Sequence, residues 1–103
     1  MTDVKVSVTF RHIRPTDALK SYAAEKLHKI GKYFVRPLEA HVVLSVDSKD
    51  RHLADVTLQA RRLVIHGREE TSDLYSAIDR VVDKIEQQVR KYKTRLRRRR
   101  VKG

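Results

Sequence analysis

Residues 73–95 read DLYSAIDRVVDKIEQQVRKYKTR, and the rest of the chain is predicted to support this stretch. Apolar residues recur here at steps of three and four, which places them on one stripe of an α-helix. They are Leu74, Ile78, Val81, Ile85, Val89 and Tyr92, followed by Leu96. A stripe of this kind has to pack against a core, so the sequence predicts a long helix lying on the domain. Thr71 or Ser72 is expected to cap its start.

Charges are sorted around the same helix. At about 100° per residue, basic residues fall on one side of the apolar stripe and acidic residues on the other. The predicted helix therefore has a buried side, a basic side and an acidic side. The basic side carries Arg80, Lys84, Lys91 and Arg95, and the acidic flank carries Asp79, Asp83 and Glu86.

Length and composition restrict the class of protein. A chain of 103 residues is large enough for one modest core and too small for two. It has no cysteine, which excludes disulfides and thiolate chemistry. No apolar run approaches the roughly 20 residues that cross a bilayer, and Asp3 interrupts any signal-peptide core. We expect a soluble, cytoplasmic protein.

The positive charge is concentrated at one end. The net charge is +11, and nine basic residues and no acidic ones lie between Arg90 and Gly103. Such asymmetry is typical of proteins that bind polyanions. A membrane surface is disfavoured because no bulky apolar residues interrupt the arginine run at 97–100. Nucleic acid is the leading candidate ligand, and a merely solubilising tail is the alternative.

Alternating apolar residues predict strands at 4–10, 40–46, 54–60 and 63–65. A first helix is predicted to begin after Thr16 and to end at Gly31. The apolar parity switches between Ala60 and Leu63, which predicts a hairpin turn at Arg61 and Arg62.

These elements define the expected fold. The order is β-α-β-β-β-α, and each strand has one apolar parity while each helix has one apolar stripe. We therefore predict an α+β fold of two layers, a four-stranded sheet with both helices on one face. The folded domain is expected to cover residues 1–96, and residues 97–103 are expected to form a basic tail that is disordered when unbound.

Several stretches, taken together, resemble the ribosome hibernation promoting factor family, which includes the ribosome-associated inhibitor. The second helix matches most clearly, at residues 73–79, 82–88 and 90–93. Thr16-Asp17-Ala18-Leu19, Lys26-Leu27, Tyr33-Phe34 and residues 54–58 match in the same order. The resemblance covers residues 4 to about 95 and implies a fold similar to a double-stranded RNA-binding domain with one added strand.

The resemblance also implies an activity. Family members bind the small ribosomal subunit and its ribosomal RNA in the mRNA and tRNA channel, and they stop translation in stationary phase or stress. No cofactor is implied, and we expect a monomer off the ribosome. Basic residues of both helices form the family's binding surface, which on this chain implies Lys26, Lys29, Lys32, Arg80, Lys84, Arg90, Lys91 and Lys93. The helical wheel independently groups Arg80, Lys84, Lys91 and Arg95.

The chain departs from the family pattern in its loops and in its length. Arg11-His12 and Arg61-Arg62 stand where relatives often have Gly or Asn, and the added arginines favour phosphate. The dimerisation domain of long family members has no counterpart here, so the chain resembles a short form or a long form cut at its linker. A short form would pair ribosomes together with ribosome modulation factor, whereas an inhibitor-like tail would oppose pairing.

Two other functions remain as alternatives. Five histidines invite a ribonuclease or metal site, but no pair has the i, i+4 spacing of a helical zinc site and no nucleophile set can be assembled, so we predict no catalysis. The tyrosines are expected to pack at the edge of the core rather than to stack on bases. A general RNA-binding protein or a permanent ribosomal protein of similar fold has the same sequence signals.

Overall fold

The observed order of elements is the predicted one. The computed structural model describes the backbone of residues 3–102 and the side chains of residues 3–94. Along this part of the chain the elements are β1 (Val4–Arg11), α1 (Asp17–His28), β2 (Leu38–Val46), β3 (His52–Ala60), β4 (Leu63–Thr71) and α2 (Leu74–Lys102), with a short 3-10 helix at Lys29–Tyr33 after α1.

The strands form one mixed sheet in the order β1-β2-β3-β4. β1 runs parallel to β2, and the helix α1 supplies the crossover that a parallel pair requires. β2, β3 and β4 pair antiparallel with their neighbours. The helix α2 packs on β3 and β4, while α1 packs on β1 and against α2. Both helices therefore lie on one face, as predicted, and the other face of the sheet is open.

The core lies between the sheet and the helices. On β2, Ala40, Val42 and Leu44 are buried while the residues between them are less so, which is the predicted parity. Val81 and Ile85 of α2 lie over Gly67 of β4, where an added Cβ atom would come within 3.1 Å of the Ile85 Cδ1 atom. A larger side chain at residue 67 would therefore push α2 away from the sheet.

The first helix begins as predicted and ends differently. The Thr16 hydroxyl accepts a hydrogen bond from the Leu19 amide at 3.2 Å and so caps α1. The α-helical pattern ends at His28, and the chain continues as the 3-10 helix that contains Gly31. Gly31 therefore does not end the helix in a left-handed conformation. It is buried in the tighter turn, which carries Ile30 into the core.

In the hairpin of β3 and β4, the sequence predicted the turn correctly but not the length of β4. The turn between β3 and β4 consists of Arg61 and Arg62, as predicted, and Arg62 has a φ of 65°. The fourth strand, however, continues to Thr71 instead of ending near residue 65. Its outer half pairs with the start of β3, as Ala54 opposite Glu69 shows.

The start of α2 is capped by a residue other than the two expected. The Asp73 carboxylate accepts hydrogen bonds from the Ser76 amide at 2.9 Å and the Ser76 hydroxyl at 2.7 Å. The hydrogen bond from the Ser76 amide, followed by the one from the Ser76 hydroxyl, lowers the pKa of Asp73 below its ordinary value. Asp73 is thus the cap, and Thr71 instead bonds to the backbone of Asp73.

The backbone of α2 runs past residue 96 to Lys102. The side chains of the arginine run lie outside the described residues, and the division into a domain at 1–96 and a disordered tail at 97–103 stays a prediction. Along the described part of the chain, no helix is both long enough and apolar enough to span a bilayer.

Candidate nucleic-acid interface

The predicted binding residues all lie on the helical layer, but they do not form one continuous stripe. α2 separates most of them into two groups, one facing α1 and one facing the β4 edge of the sheet. The first group lies along the inter-helix groove, which we define by Tyr22, Lys26 and Tyr33 on one side and Asp79 and Glu86 on the other. The second, the β4-edge stripe, consists of Arg80, Lys84 and Lys91.

One end of the inter-helix groove is held together by Tyr22 and Asp79. The Tyr22 hydroxyl donates to the Asp79 Oδ1 atom at 2.5 Å. This bond, followed by the burial of the hydroxyl, raises the pKa of Tyr22 to about 12. The Lys26 ammonium lies 3.8 Å from the same carboxylate and 5.3 Å from the centre of the Tyr22 ring. Tyr75 packs edge-on against Tyr22, with the ring centres 5.0 Å apart.

The other end of the groove is centred on Glu86. Its carboxylate accepts a hydrogen bond from the Tyr33 hydroxyl at 2.9 Å and lies 3.8 Å from the Lys32 ammonium. Arg90 donates to the Tyr33 oxygen at 2.9 Å and also lies 3.9 Å from Glu86. The bond with Tyr33 raises the pKa of Arg90. Only 14% of the Glu86 side chain is exposed, so this network is fixed between the helices.

These contacts correct the predicted acidic flank. Asp79 and Glu86 lie against the first helical segment and partly neutralise Lys26, Lys32 and Arg90. The wheel gave their angular position correctly, but it gave no information on where the neighbouring helix would lie. The groove therefore joins the two helices and holds three cations against two carboxylates.

The β4-edge stripe contains one paired residue and two unpaired ones. The Lys84 ammonium lies 3.0 Å from the Glu69 carboxylate and 3.5 Å from the Arg68 carbonyl oxygen, both on β4. Arg80 and Lys91 are exposed, and within residues 3–94 neither lies within 4.0 Å of a carboxylate. A phosphate can therefore reach them without an existing ion pair being broken.

Lys29 and Lys93 are the remaining predicted binding residues whose side chains the structure describes. Lys29 is exposed at the start of the 3-10 helix and, in the described part of the chain, has no ion-pair partner. The Lys93 ammonium lies over the Phe34 ring, 4.4 Å from its centre, which fixes its position without neutralising it. The side chain of Arg95 lies outside the described residues, so its predicted role stays a prediction.

Chemically, the helical layer can bind phosphates. Lys29, Arg80 and Lys91 are exposed donors without an ion-pair partner in the described part of the chain, while hydrogen bonds from Tyr22 to Asp79 and from Tyr33 to Glu86 join the helical segments. Phosphate contacts of this kind fix the position of a protein on RNA without reading its sequence.

His41 and His66 lie on the open face of the sheet, away from the helices. His41 is bonded to Ser7 at 2.7 Å, and His66 lies 2.7 Å from the Asp55 carboxylate. The imidazoles of both are about half exposed. Within the described residues, no three His, Asp or Glu side chains gather as metal ligands would.

Sequence reasoning missed the part played by two tyrosines. Tyr22 and Tyr33 are separated by 11 positions, about three helical turns, and their partners Asp79 and Glu86 by seven, about two turns. The spacing of seven places Asp79 and Glu86 on one side of α2, whereas Tyr22 lies in α1 and Tyr33 at the end of the 3-10 helix. The remaining information, which helix faces which, comes only from the assembled fold.

Comparison with known proteins gives a consistent result. The family described as "Sigma 54 modulation protein / S30EA ribosomal protein" matches residues 6–97. The chain is 36% identical over 97 residues to a ribosome hibernation promotion factor of Lactococcus lactis, covering 92% of this chain and 52% of the relative. It is 33% identical over 94 residues to a ribosome hibernation promoting factor of Salmonella typhimurium, covering 91% of this chain and 98% of the relative.

A third relative, the ribosome hibernation promotion factor of Staphylococcus aureus, is 39% identical over 85 residues, which are 81% of this chain and 45% of the relative. The chain thus spans about half the length of the Lactococcus and Staphylococcus relatives and nearly all of the Salmonella one.

Solved structures agree on the fold. The Protein Y N-terminal domain of Thermus thermophilus superposes with a TM-score of 0.79 at 33% identity, covering 88% of this chain and 99% of that domain. A ribosomal subunit interface protein of Coxiella burnetii superposes with a TM-score of 0.77, covering 87% of this chain and 98% of that one. At 22% identity the second likeness supports the fold alone.

Proposed function

This chain belongs to the Sigma 54 modulation protein / S30EA ribosomal protein family, and from that premise we propose that it is a ribosome hibernation factor. It binds the small ribosomal subunit in the channel for mRNA and tRNA and stops translation in stationary phase or stress. The structural observation that supports this proposal most is the set of exposed, unpaired cations on one helical layer, Lys29, Arg80 and Lys91.

Binding is electrostatic in the proposed mechanism. Phosphates of ribosomal RNA replace condensed counterions when they meet the lysines and arginines of the helical layer. Affinity should therefore fall steeply as salt is raised. Structured RNA is recognised through its shape and backbone, so the helices need no base-reading side chains for this step.

Inhibition follows from volume. The hydrogen bonds from Tyr22 to Asp79 and from Tyr33 to Glu86 join the helical segments of the folded domain. A folded domain in the channel occupies space that mRNA and tRNA need. No bond is made or broken in this mechanism, which requires neither a catalytic residue nor a cofactor. The inter-helix groove thus contributes rigidity, while the exposed cations contribute affinity.

The partners follow from the same proposal. The ligand is the small subunit with its ribosomal RNA, the place of action is the cytoplasm, and the chain is a monomer before it binds. Ribosome modulation factor is the partner proposed for pairing inactive ribosomes.

Order of addition in cell-free translation tests occlusion. The protein is added to purified ribosomes either before mRNA and initiator tRNA or after initiation complexes have formed, and synthesis of a reporter protein is measured. Addition before the mRNA should inhibit strongly, whereas later addition should inhibit little because the channel is already occupied.

Equal inhibition in both orders would contradict occlusion and favour a general RNA-binding protein that coats ribosomal RNA. Cellular abundance separates the remaining alternative. A permanent ribosomal protein stays stoichiometric with ribosomes in every growth phase, whereas a hibernation factor accumulates on entry into stationary phase.

A further inference from the structure

A small cleft opens at the end of the sheet, apart from the two cationic groups described above. It lies between the segment that precedes β2, the turn between β3 and β4, and the last described turns of α2. Its volume is about 200 Å³. The residues that line it include Phe34, Val35, Arg36, Arg61, Tyr92 and Lys93.

The cleft combines an apolar interior with a positive rim. Its apolar lining includes Ala60 and Leu63 together with Phe34 and Tyr92. Three cations stand around it, Arg36, Arg61 and Lys93, and of the described residues that line it none is acidic. Within residues 3–94, neither Arg36 nor Arg61 forms an ion pair. The ligand that matches this charge distribution has an apolar part and an anionic part.

Two side chains of the cleft, those of Val35 and Lys93, provide an exposed apolar surface and a fixed positive charge. Val35 is 95% exposed at the mouth, so burying it would remove apolar surface from water. Lys93 is held over the Phe34 ring at 4.4 Å, which fixes a positive charge at the wall of the cleft. A ligand would thus find an apolar surface and a placed cation side by side.

We propose that the cleft receives one unpaired RNA nucleotide, whose base enters between Val35 and Tyr92 and whose phosphate is bound by Arg36 and Arg61. The inference rests on the proposed function, since it names a further contact with the same ribosomal RNA. Splayed bases in single-stranded RNA stack on aromatic side chains, and an arginine binds a phosphate through two parallel N–H donors.

The size of the cleft favours one base over a larger ligand. Pockets for drug-sized molecules enclose roughly 300–1,000 Å³, which is more than this cleft holds. A single flat ring is the size of group that fits, with its sugar and phosphate left at the positive rim. The helical layer is then the surface that binds structured RNA by its backbone, and the cleft is a separate contact that requires a base.

Two RNA-like probes of equal charge test for the base. Fluorescence anisotropy measures binding of the full chain to a labelled short oligouridylate and to an abasic oligonucleotide of the same length. Base stacking should give the oligouridylate roughly tenfold tighter binding. Equal affinity for the two probes would show that only phosphate is recognised and would overturn the proposal.

Matched variants locate the contact. Val35→Glu should abolish the preference for the oligouridylate, whereas Val64→Glu, an equal charge change at a residue 64% exposed on the open face, should preserve it. Arg61→Glu should weaken oligouridylate binding several-fold more than Arg62→Glu, because Arg61 lines the cleft and Arg62, its neighbour in the same turn, does not. Equal effects within either pair would exclude the cleft.

Sedimentation with small ribosomal subunits separates this inference from the proposed function. A wild-type chain that binds subunits but shows no preference between the two probes refutes the nucleotide cleft alone. A wild-type chain that fails to bind subunits refutes the proposed function, and the oligonucleotide result then stands as a property of the isolated domain.

Discussion

Arg80 and Lys91 of α2, like Lys29, have no ion-pair partner within the described residues. Lys26, Lys32 and Arg90 are held by Asp79 and Glu86, and Lys84 is held by Glu69. Exposed ion pairs of this kind contribute only about 0–1 kcal/mol to stability, but each must be broken or shared before its cation can bind a phosphate. The unpaired residues should therefore contribute most to RNA affinity.

The double variant that carries both Arg80→Glu and Lys91→Glu should bind small subunits at least about tenfold more weakly. Two lost phosphate contacts should also reduce the slope of log affinity against log salt by about two. Binding is measured by filter retention over a salt series. The folded domain should be unaffected because both side chains are exposed.

Lys5→Glu with Lys49→Glu is the matched control. It makes the same change in net charge at two exposed residues outside the helical layer. Equal losses of affinity in the two double variants would mean that total charge, and not the helical surface, determines binding.

Tyr22 gives a pH-dependent prediction. Its hydrogen bond to Asp79 raises its pKa from 10.0 to about 12. A pKa that is higher in the folded state than in the unfolded state means that the bond stabilises the fold fully below pH 10 and loses this effect as pH rises towards 12. The free energy of unfolding should therefore decline across that interval in the wild type, and less in Tyr22→Phe. Chemical denaturation at several pH values measures it, and identical declines would exclude this role.

Among the elements, those defined by periodicity were predicted correctly. The parity of β2 and the apolar stripe of α2 each follow from residues within one segment, and the two-residue turn follows from the switch of parity between Ala60 and Leu63. The extension of β4 to Thr71 was missed because Glu69 and Glu70 are polar. Their strand conformation depends on pairing with β3, a partner distant in sequence.

The same limit explains what was missed at the candidate site. Lys84 was predicted to lie on the basic side of α2, and its ammonium is paired with Glu69, which belongs to the part of β4 that the pattern did not reveal. The contacts of Asp79 and Glu86 depend on where α1 lies. The sequence therefore predicted which side of α2 each charge occupies, whereas the partner of each charge is determined by tertiary packing.

Gly67 controls the contact between β4 and α2. In Gly67→Val the new side chain would meet Ile85 and Val81, whose atoms already lie 3.1 and 3.4 Å from an added Cβ. Overpacking of this kind should destabilise the fold by about 1–3 kcal/mol. Urea denaturation measures the change. Arg68→Val places the same side chain one residue further, on the open face, and should change stability by about 0.5 kcal/mol or less; an equal loss in both variants would contradict the packing argument.

At the scale of the whole molecule, the charge is strongly asymmetric. The net charge is +11, and five of the basic residues lie in the last seven positions, 97–103. Because long-range attraction to a polyanion adds to the contacts of the helical layer, this segment should increase affinity even without a fixed structure. Deleting residues 97–103 should weaken binding to small subunits. It should also reduce the slope of log affinity against log salt by about one for each phosphate contact that is lost. An unchanged slope in filter-binding assays would show that the segment does not touch RNA.

In the proposed mechanism, the folded domain occupies the mRNA and tRNA channel of the small subunit. Sucrose-gradient sedimentation of purified small subunits with this protein, with and without mRNA and initiator tRNA, tests it most directly. The protein should migrate with empty subunits and remain at the top of the gradient when mRNA and initiator tRNA fill the channel. Equal co-migration with filled and empty subunits would contradict the claim, as would failure to migrate with empty subunits at low salt.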